Sequence, residues 1–278
     1  MTSSLQIGPL AVPYLLVLIA ATVFFGNVIA KRVDKGTEKT VENHFFTIFI
    51  VAVLAARIVF VIQYRSAYLP TPLDILDIRD GGWNAQAGVI AAWVYALLLL
   101  KWKPHLRKPL LLVMLGSSLV WIGGTIALAV LTKDHSPIPD LKLHSINGDE
   151  VYLAKFGDKP TVINLWASWC PPCQREMPVF EKAQQQNPDI NFVFVNQGES
   201  KLQVEQFLTS NHLTMRNVLM DSSGAVGKEF EVKGMPSTYF FDANGKLVDS
   251  RLGEVSHASL LEKLQKINPR LNPPKKNQ

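Results

Sequence analysis

The segment NLWASWCPPCQREMP, residues 164–178, holds the chain's two cysteines, Cys170 and Cys173, separated by Pro171 and Pro172. A Cys-x-x-Cys pair at a helix start is suited to dithiol chemistry. Backbone N–H groups and the helix dipole favour an anion at the first sulfur and lower its pKa from about 8.5, which makes Cys170 the nucleophile. Cys173, one turn along, is placed to attack a mixed disulfide formed on Cys170 and to leave the pair oxidised. Two other uses of the pair fit less well. Zinc needs further ligands, and the six histidines show no His-x(3–5)-His spacing. A structural bridge gains most by closing a long loop, and this one closes almost none. No metal is expected, and no cofactor beyond the dithiol itself.

The neighbours of the pair refine the chemistry. Proline fits a helix's first turn but brings no N–H, so two donors that would face the Cys170 sulfur are missing; a less stabilised thiolate leans toward a reductant. Glu176 follows Cys173 by one turn. It is either a carboxylate that accepts the Cys173 proton or an acid suited to the start of any helix, and the sequence leaves both readings open. Trp169 offers an apolar platform beside Cys170, whereas Trp166, two residues earlier, belongs in a core.

These residues need a scaffold, and the pattern after Leu131 supplies one. LTKDHSPIPD, with prolines at 137 and 139, reads as a linker over residues 132–140. VINLW and INFVFVN are apolar runs suited to buried parallel strands, each followed by a helical stretch, the first from the cysteines to about Gln186 and the second KLQVEQFLTSNHL. NVLMDSSG and AVGKEFEV give a short strand and a short helix. STYFFDANGKLVDSRLG is a hairpin turning at Asn244-Gly245, and SHASLLEKLQKI closes the unit. The expectation is an α/β domain over residues 141–268 and a disordered tail over 269–278.

The first half is of another kind. The chain is 48% hydrophobic with positive mean hydropathy, and the apolar residues concentrate before residue 132. Four segments, Ile7 to Ala30, Phe45 to Tyr64, Trp83 to Leu100 and Pro109 to Leu131, can cross a hydrocarbon core, which takes about 20 residues of helix. The first is too long for a signal peptide and lacks its basic start and cleavage site, so residues 1–131 read as a four-span α-helical membrane bundle. Lys31, Arg32, Lys35 and Lys39 follow the first span, and Lys101, Lys103, Arg107 and Lys108 follow the third; the middle loop sets Arg65 and Arg79 beside Asp74, Asp77 and Asp80. Basic loops face the cytoplasm, which puts both termini and the cysteines outside it, in an oxidising compartment. The net charge of +5 forms no basic stripe interleaved with aromatics, so the expected partner is the lipid bilayer and not nucleic acid.

Two resemblances follow from these motifs. WASWCPPCQREMP after a buried strand, with GMPSTYFFDANGKLV further on, resembles the TlpA/ResA branch of the thioredoxin-like disulfide oxidoreductases over about His135 to Ile267. The resemblance implies a thioredoxin-like fold, an acidic residue at Glu176 that manages the protons of the pair, and a cis-proline at Pro236. That proline abuts the cysteines and presents the backbone of Met235 to an extended substrate. It also implies a disulfide-containing periplasmic protein as substrate and a bacterial inner-membrane location. The spans contain no cysteine, so a reductase also needs a separate membrane electron donor, DsbD-like as is usual in that family. VLAARIVFVIQY and IRDGGWNAQAGVIAA resemble the first part of the prolipoprotein diacylglyceryl transferases, across about Ile7 to Trp102. Gln86 stands where that family carries a functionally important His, and its later Arg-Gly-Asn segment has no counterpart. Gln cannot titrate as a base, so an anchor is favoured over a transferase. Arg57, costly within a span, would bind a lipid headgroup or partner, snorkel, or pair within the bundle.

The leading expectation is a membrane-anchored periplasmic thiol-disulfide oxidoreductase that reduces disulfides of extracytoplasmic proteins. The alternatives are a thiol oxidase or isomerase, and a lipid-binding or transferase-related protein with an accessory redox domain. Reporter fusions placed after Leu131 should be active outside the cytoplasm; a cytoplasmic signal overturns the orientation and the need for a transmembrane electron donor together.

Overall fold

The structure is a computed structural model that describes residues 4–7, 10–34, 40–69, 72–77, 80–131 and 136–271. The loop cations Lys35, Lys39 and Arg79, the start of the linker at 132–135 and the tail beyond Leu271 lie outside the described residues. The chain divides into two compact units, Val12–Lys133 and Asp134–Gln278, with Met1–Ala11 grouped with the second. Ser4–Ile7 (β1) and Leu10–Pro13 (β2) pair as a two-stranded sheet.

Among the described residues, four helices are long and apolar enough to cross a membrane: α1 (Tyr14–Val33), α2 (Thr40–Gln63), α4 (Ala85–Trp102) and α5 (Arg107–Leu131). A one-turn helix, α3 (Arg65–Tyr68), follows α2. The first helix starts seven residues later than the apolar run from Ile7 suggests, because Pro13 stands at its N-cap and a proline belongs at a helix start, not inside. The third starts after Asn84, whose side chain accepts the Ala87 N–H at 2.9 Å, the usual role of Asn at an N-cap. α1 packs chiefly on α5 and α2 on α4. A Cβ at Gly26 would collide with Phe45 and with Ser117 on α5, so small residues permit the close approach of the helices. Phe24, Phe46, Ile62 and Leu119 stand exposed on the outer faces, an apolar surface that water would penalise and lipid would not.

The charge within the second helix is locked inside this unit. Arg57 is buried and donates to both Asp80 oxygens at 2.8 and 3.0 Å and to the carbonyls of Gly82 at 2.8 Å, Ile75 at 2.9 Å and Asp77 at 3.1 Å. Asp80 also accepts the Tyr68 hydroxyl at 2.6 Å and the Gly82 N–H at 2.8 Å. Gly82 must lack a side chain there, since a Cβ would run into Phe60 and the Arg57 guanidinium. Of the roles open to Arg57, the structure selects pairing within the bundle.

In the second unit a seven-stranded sheet runs in the order β4-β3-β7-β6-β5-β8-β9. Its strands are β3 (Lys142–Ser145), β4 (Glu150–Tyr152), β5 (Thr161–Trp166), β6 (Asn191–Gln197), β7 (Val218–Asp221), β8 (Ser237–Phe241) and β9 (Leu247–Leu252). β5, β6 and β7 are parallel, and β8 and β9 return antiparallel on one side as β3 and β4 do on the other. The helices are α6 (Pro171–Gln186), α7 (Lys201–Ser210), α8 (Ala225–Glu229) and α9 (His257–Ile267). All six residues of β5 are buried because both faces of the sheet are covered, which is why its sequence reads as a continuous apolar run. Val162 and Trp166 pack with Met177 and Phe180 of α6, while Ile163 and Leu165 pack on the opposite side with Phe156 and Phe241. The hairpin between β8 and β9 turns at Asn244-Gly245, where Gly245 takes φ of 70°, a conformation a side chain would strain. The β3–β4 hairpin is an addition to the sequence reading; its signal was LHSINGDEVY, with alternation on both sides of Asn147-Gly148.

Removing one partner of a buried ion pair leaves the other charge unpaired and costs about 3–5 kcal/mol. Arg57→Leu should therefore sharply lower the thermal stability of the detergent-solubilised chain, and Arg57→Leu with Asp80→Leu should recover part of the loss. Equal destabilisation by the single and double variants would show that the pair is not the source of the effect.

Candidate active site

Strand β5 ends and helix α6 begins around the cysteines. Cys170 is the N-cap residue of α6, with Pro171 and Pro172 filling its first two positions. The pair is oxidised, a Cys170–Cys173 disulfide with its Cα atoms 5.2 Å apart. Both cysteines are buried, Cys173 completely. The Cys173 N–H points at the Cys170 sulfur from 3.4 Å. It is the donor that remains once the two prolines have removed theirs.

A cleft of about 540 Å³ opens beside the disulfide. It is lined by Trp169, Cys170 and the two prolines together with Val232, Lys233, Gly234 and Met235. Trp169 is 65% exposed, while Trp166 is fully buried in the core. The Met235–Pro236 peptide is cis, with Pro236 buried and Met235 at the lining of the cleft. The structure thus brings Trp169, Cys170 and Met235 to one opening, while Pro236 is buried next to Met235 in the chain and is not among the lining residues. Gln197, at the end of β6, also lines the cleft and was not singled out from the sequence.

Glu176 lies on the inner side of α6, with no exposure at all. It is three residues from Cys173 and so shares its helix face. One carboxylate oxygen accepts the Asn164 amide at 2.8 Å and the other the Val255 N–H at 3.0 Å. Asn164 also donates to the Thr238 hydroxyl at 3.0 Å. Burial pushes the Glu176 carboxyl up to about 8, and these two hydrogen bonds pull the other way without cancelling it. A helix-start acid would sit in solvent near the dipole; this one is inside, below the dithiol. Asn164 and Val255 escaped the sequence reading. An Asn within an otherwise apolar strand run was the available signal for the first, since a buried amide must find partners; the second is a backbone group, invisible to residue type. Among the described residues no three His, Cys, Asp or Glu side chains gather to hold a metal.

A carboxyl that keeps its proton to about pH 8 when folded but to about 4.3 when unfolded makes stability fall as pH rises through that interval. The native state binds the extra proton there, at up to roughly 1.4 kcal/mol per pH unit. Hydrogen exchange of β5 peptides in the full-length chain should show protection decreasing from pH 5 to pH 8, and Glu176→Gln should flatten that dependence. A Glu176→Gln variant with an unchanged slope would place the pH sensitivity elsewhere.

Comparison with known proteins agrees with the geometry in both halves. The redoxin family model matches residues 133–264, and the model for prolipoprotein diacylglyceryl transferase matches residues 3–130. The thiol-disulfide oxidoreductase ResA of Geobacillus thermodenitrificans is 32% identical over 136 residues, which are 48% of this chain and 78% of that protein. ResA of Geobacillus kaustophilus is 30% identical over 171 residues, 59% of this chain and 95% of that protein. The sporulation thiol-disulfide oxidoreductase A of Bacillus subtilis is 27% identical over 157 residues, 54% of this chain and 92% of that protein. With a Cys-x-x-Cys disulfide capping α6, a cis peptide between Met235 of the cleft and Pro236, and relatives of this identity and coverage, the chain belongs to the ResA family of thiol-disulfide oxidoreductases, its redox unit fused behind a prolipoprotein diacylglyceryl transferase-like segment.

Proposed function

We propose that this chain is a membrane-anchored reductase of disulfides in extracytoplasmic proteins. The observation that carries the direction is the supply of donors at Cys170. Strongly oxidising dithiols owe their potential to a well-stabilised thiolate, and here Pro171 and Pro172 leave the Cys173 N–H, at 3.4 Å, as the backbone donor toward the sulfur.

In the reduced enzyme the Cys170 thiolate attacks one sulfur of a substrate disulfide, forming a mixed disulfide and releasing the other substrate sulfur, which takes up a proton. Cys173 loses its proton and attacks the Cys170 sulfur; the Cys170–Cys173 bond forms and the second substrate thiolate leaves. Two electrons pass from the pair to the substrate. The ionised form of Glu176, which gains population as pH rises toward 8, is the acceptor for the Cys173 proton; its proton affinity is close to that of a thiol, so transfer in either direction meets little driving force. The substrate chain lies extended in the cleft, its apolar side chain on Trp169 and its backbone beside Met235 and Pro236.

Each turnover leaves the pair oxidised, so electrons come from a separate membrane dithiol donor of the DsbD-like kind. The four apolar helices anchor the chain in a bacterial inner membrane with both termini in the periplasm, as the basic residues after the first and third helices direct. The transferase-like unit serves as anchor, because Gln86 is no base and Arg57 is engaged by Asp80 and three carbonyls.

Equilibration of the full-length protein in thiol redox buffers should give a potential nearer thioredoxin, at about −270 mV, than the strong periplasmic oxidant at about −120 mV. A value above about −180 mV, the range of disulfide isomerase, reverses the direction and leaves an oxidase or isomerase. Cys173→Ala should accumulate substrates disulfide-linked to Cys170, and their identification names the substrate class.

A further inference from the structure

The turn that delivers Cys170 is fastened from outside its own strand and helix. Glu199 lies in the connection between β6 and α7 and is only 7% exposed. One of its oxygens accepts the Ser168 backbone N–H at 2.7 Å and the Asn196 amide at 2.6 Å, and the other accepts the Ser168 hydroxyl. Two N–H donors converge on one carboxylate oxygen and the Ser168 hydroxyl on the other, so all three contacts end on the single Glu199 side chain. From the other side, Gln174 of α6 donates to the Ser168 carbonyl at 2.6 Å. The Ser168 peptide is thereby held at its N–H, its hydroxyl and its carbonyl, and the next two residues are Trp169 and Cys170.

The neighbouring elements do not require this carboxylate. α7 starts from a complete capping box between Ser200 and Gln203, and β6 is held by its ladders to β5 and β7. Burying a charged side chain is costly unless it is fully hydrogen-bonded, and here that cost is met by groups belonging mainly to the catalytic turn.

We infer that Glu199 is a positioning residue for thiol–disulfide exchange, one that fixes the Ser168 peptide and through it the direction in which Trp169 and the Cys170 sulfur face the cleft. The inference rests on the exchange reaction and not on its direction. Glu199 does not touch the reacting sulfurs; it acts through the turn. Misplacement of a reacting group by about 1 Å can cost up to a hundredfold in rate, so loss of the clamp belongs in the rate of the chemical step.

The test is single-turnover mixed-disulfide formation by full-length protein in detergent, with a model peptide disulfide and rates normalised to titrated thiols. Glu199→Leu removes all three contacts at similar volume; its rate at saturating peptide should fall about tenfold. Ser168→Ala, which removes one of the three bonds, should fall by less, and Glu199→Gln, whose oxygen can keep the two N–H donors while its N–H₂ donates to the Ser168 hydroxyl, should recover most of the loss. The double variant Glu199→Leu with Ser168→Ala should be no slower than Glu199→Leu alone, because both act on one contact. A folded Glu199→Leu with the wild-type rate overturns the inference, as do losses that multiply in the double variant. If Glu199→Leu does not fold, a Ser168→Ala rate equal to wild type overturns it. Absence of exchange in the wild-type chain would instead reject the exchange reaction itself, a separate result.

Discussion

Placing Glu176 out of reach of water, beneath the dithiol, is the constraint around which the redox unit is arranged. A carboxylate in that position cannot ionise freely, so the site needs donors that soften the penalty without abolishing it. Asn164 from β5 and the Val255 N–H from the segment before α9 provide them, and Thr238 of β8 holds Asn164 in turn. One side chain thus ties together two neighbouring strands, the catalytic helix and the chain that leads into the last helix. The result is a carboxyl that burial pushes up to about 8.

The same economy governs the sulfur. At most helix starts the first N–H groups are available to whatever anion the dipole attracts. Here the first two positions are proline, and the Cys173 N–H is left to face Cys170. The helix still ends in a positive dipole, but the specific hydrogen bonds that would deepen thiolate stabilisation are withheld. The cleft beside it is lined by Trp169, the two prolines, Val232 and Met235, with Gln197 and Lys233 as its polar members.

In the helical unit the controlling interaction is also a buried charge, solved differently. Arg57 is surrounded by Asp80 and a set of carbonyls, with the rings of Tyr68 and Trp83 within 5.6 and 5.7 Å of the guanidinium. Every donor direction of the fork is used inside the unit. A residue whose role the sequence left open between a lipid headgroup or partner, snorkelling and pairing within the bundle is, in three dimensions, a clasp between α2 and the segment leading to α4.

What the sequence by itself determined was local. The Cys-Pro-Pro-Cys spacing at the end of an apolar run defined the dithiol and its helix, Asn244-Gly245 defined the hairpin, and the length of four apolar runs defined the long helices, because each depends on near neighbours, period or turn chemistry. The β3–β4 hairpin was equally local, with Asn147-Gly148 at its turn, and was legible though passed over. The tertiary structure alone decided which polar groups meet. Val255 reaches Glu176 across 79 residues, Asp80 reaches Arg57 across 23, and Glu199 reaches Ser168 across 31. The raised proton affinity of Glu176 could not be read from its position one turn after Cys173, since that affinity is set by desolvation and by donors supplied from remote segments. Those quantities come into being only when the sheet is covered and water is removed.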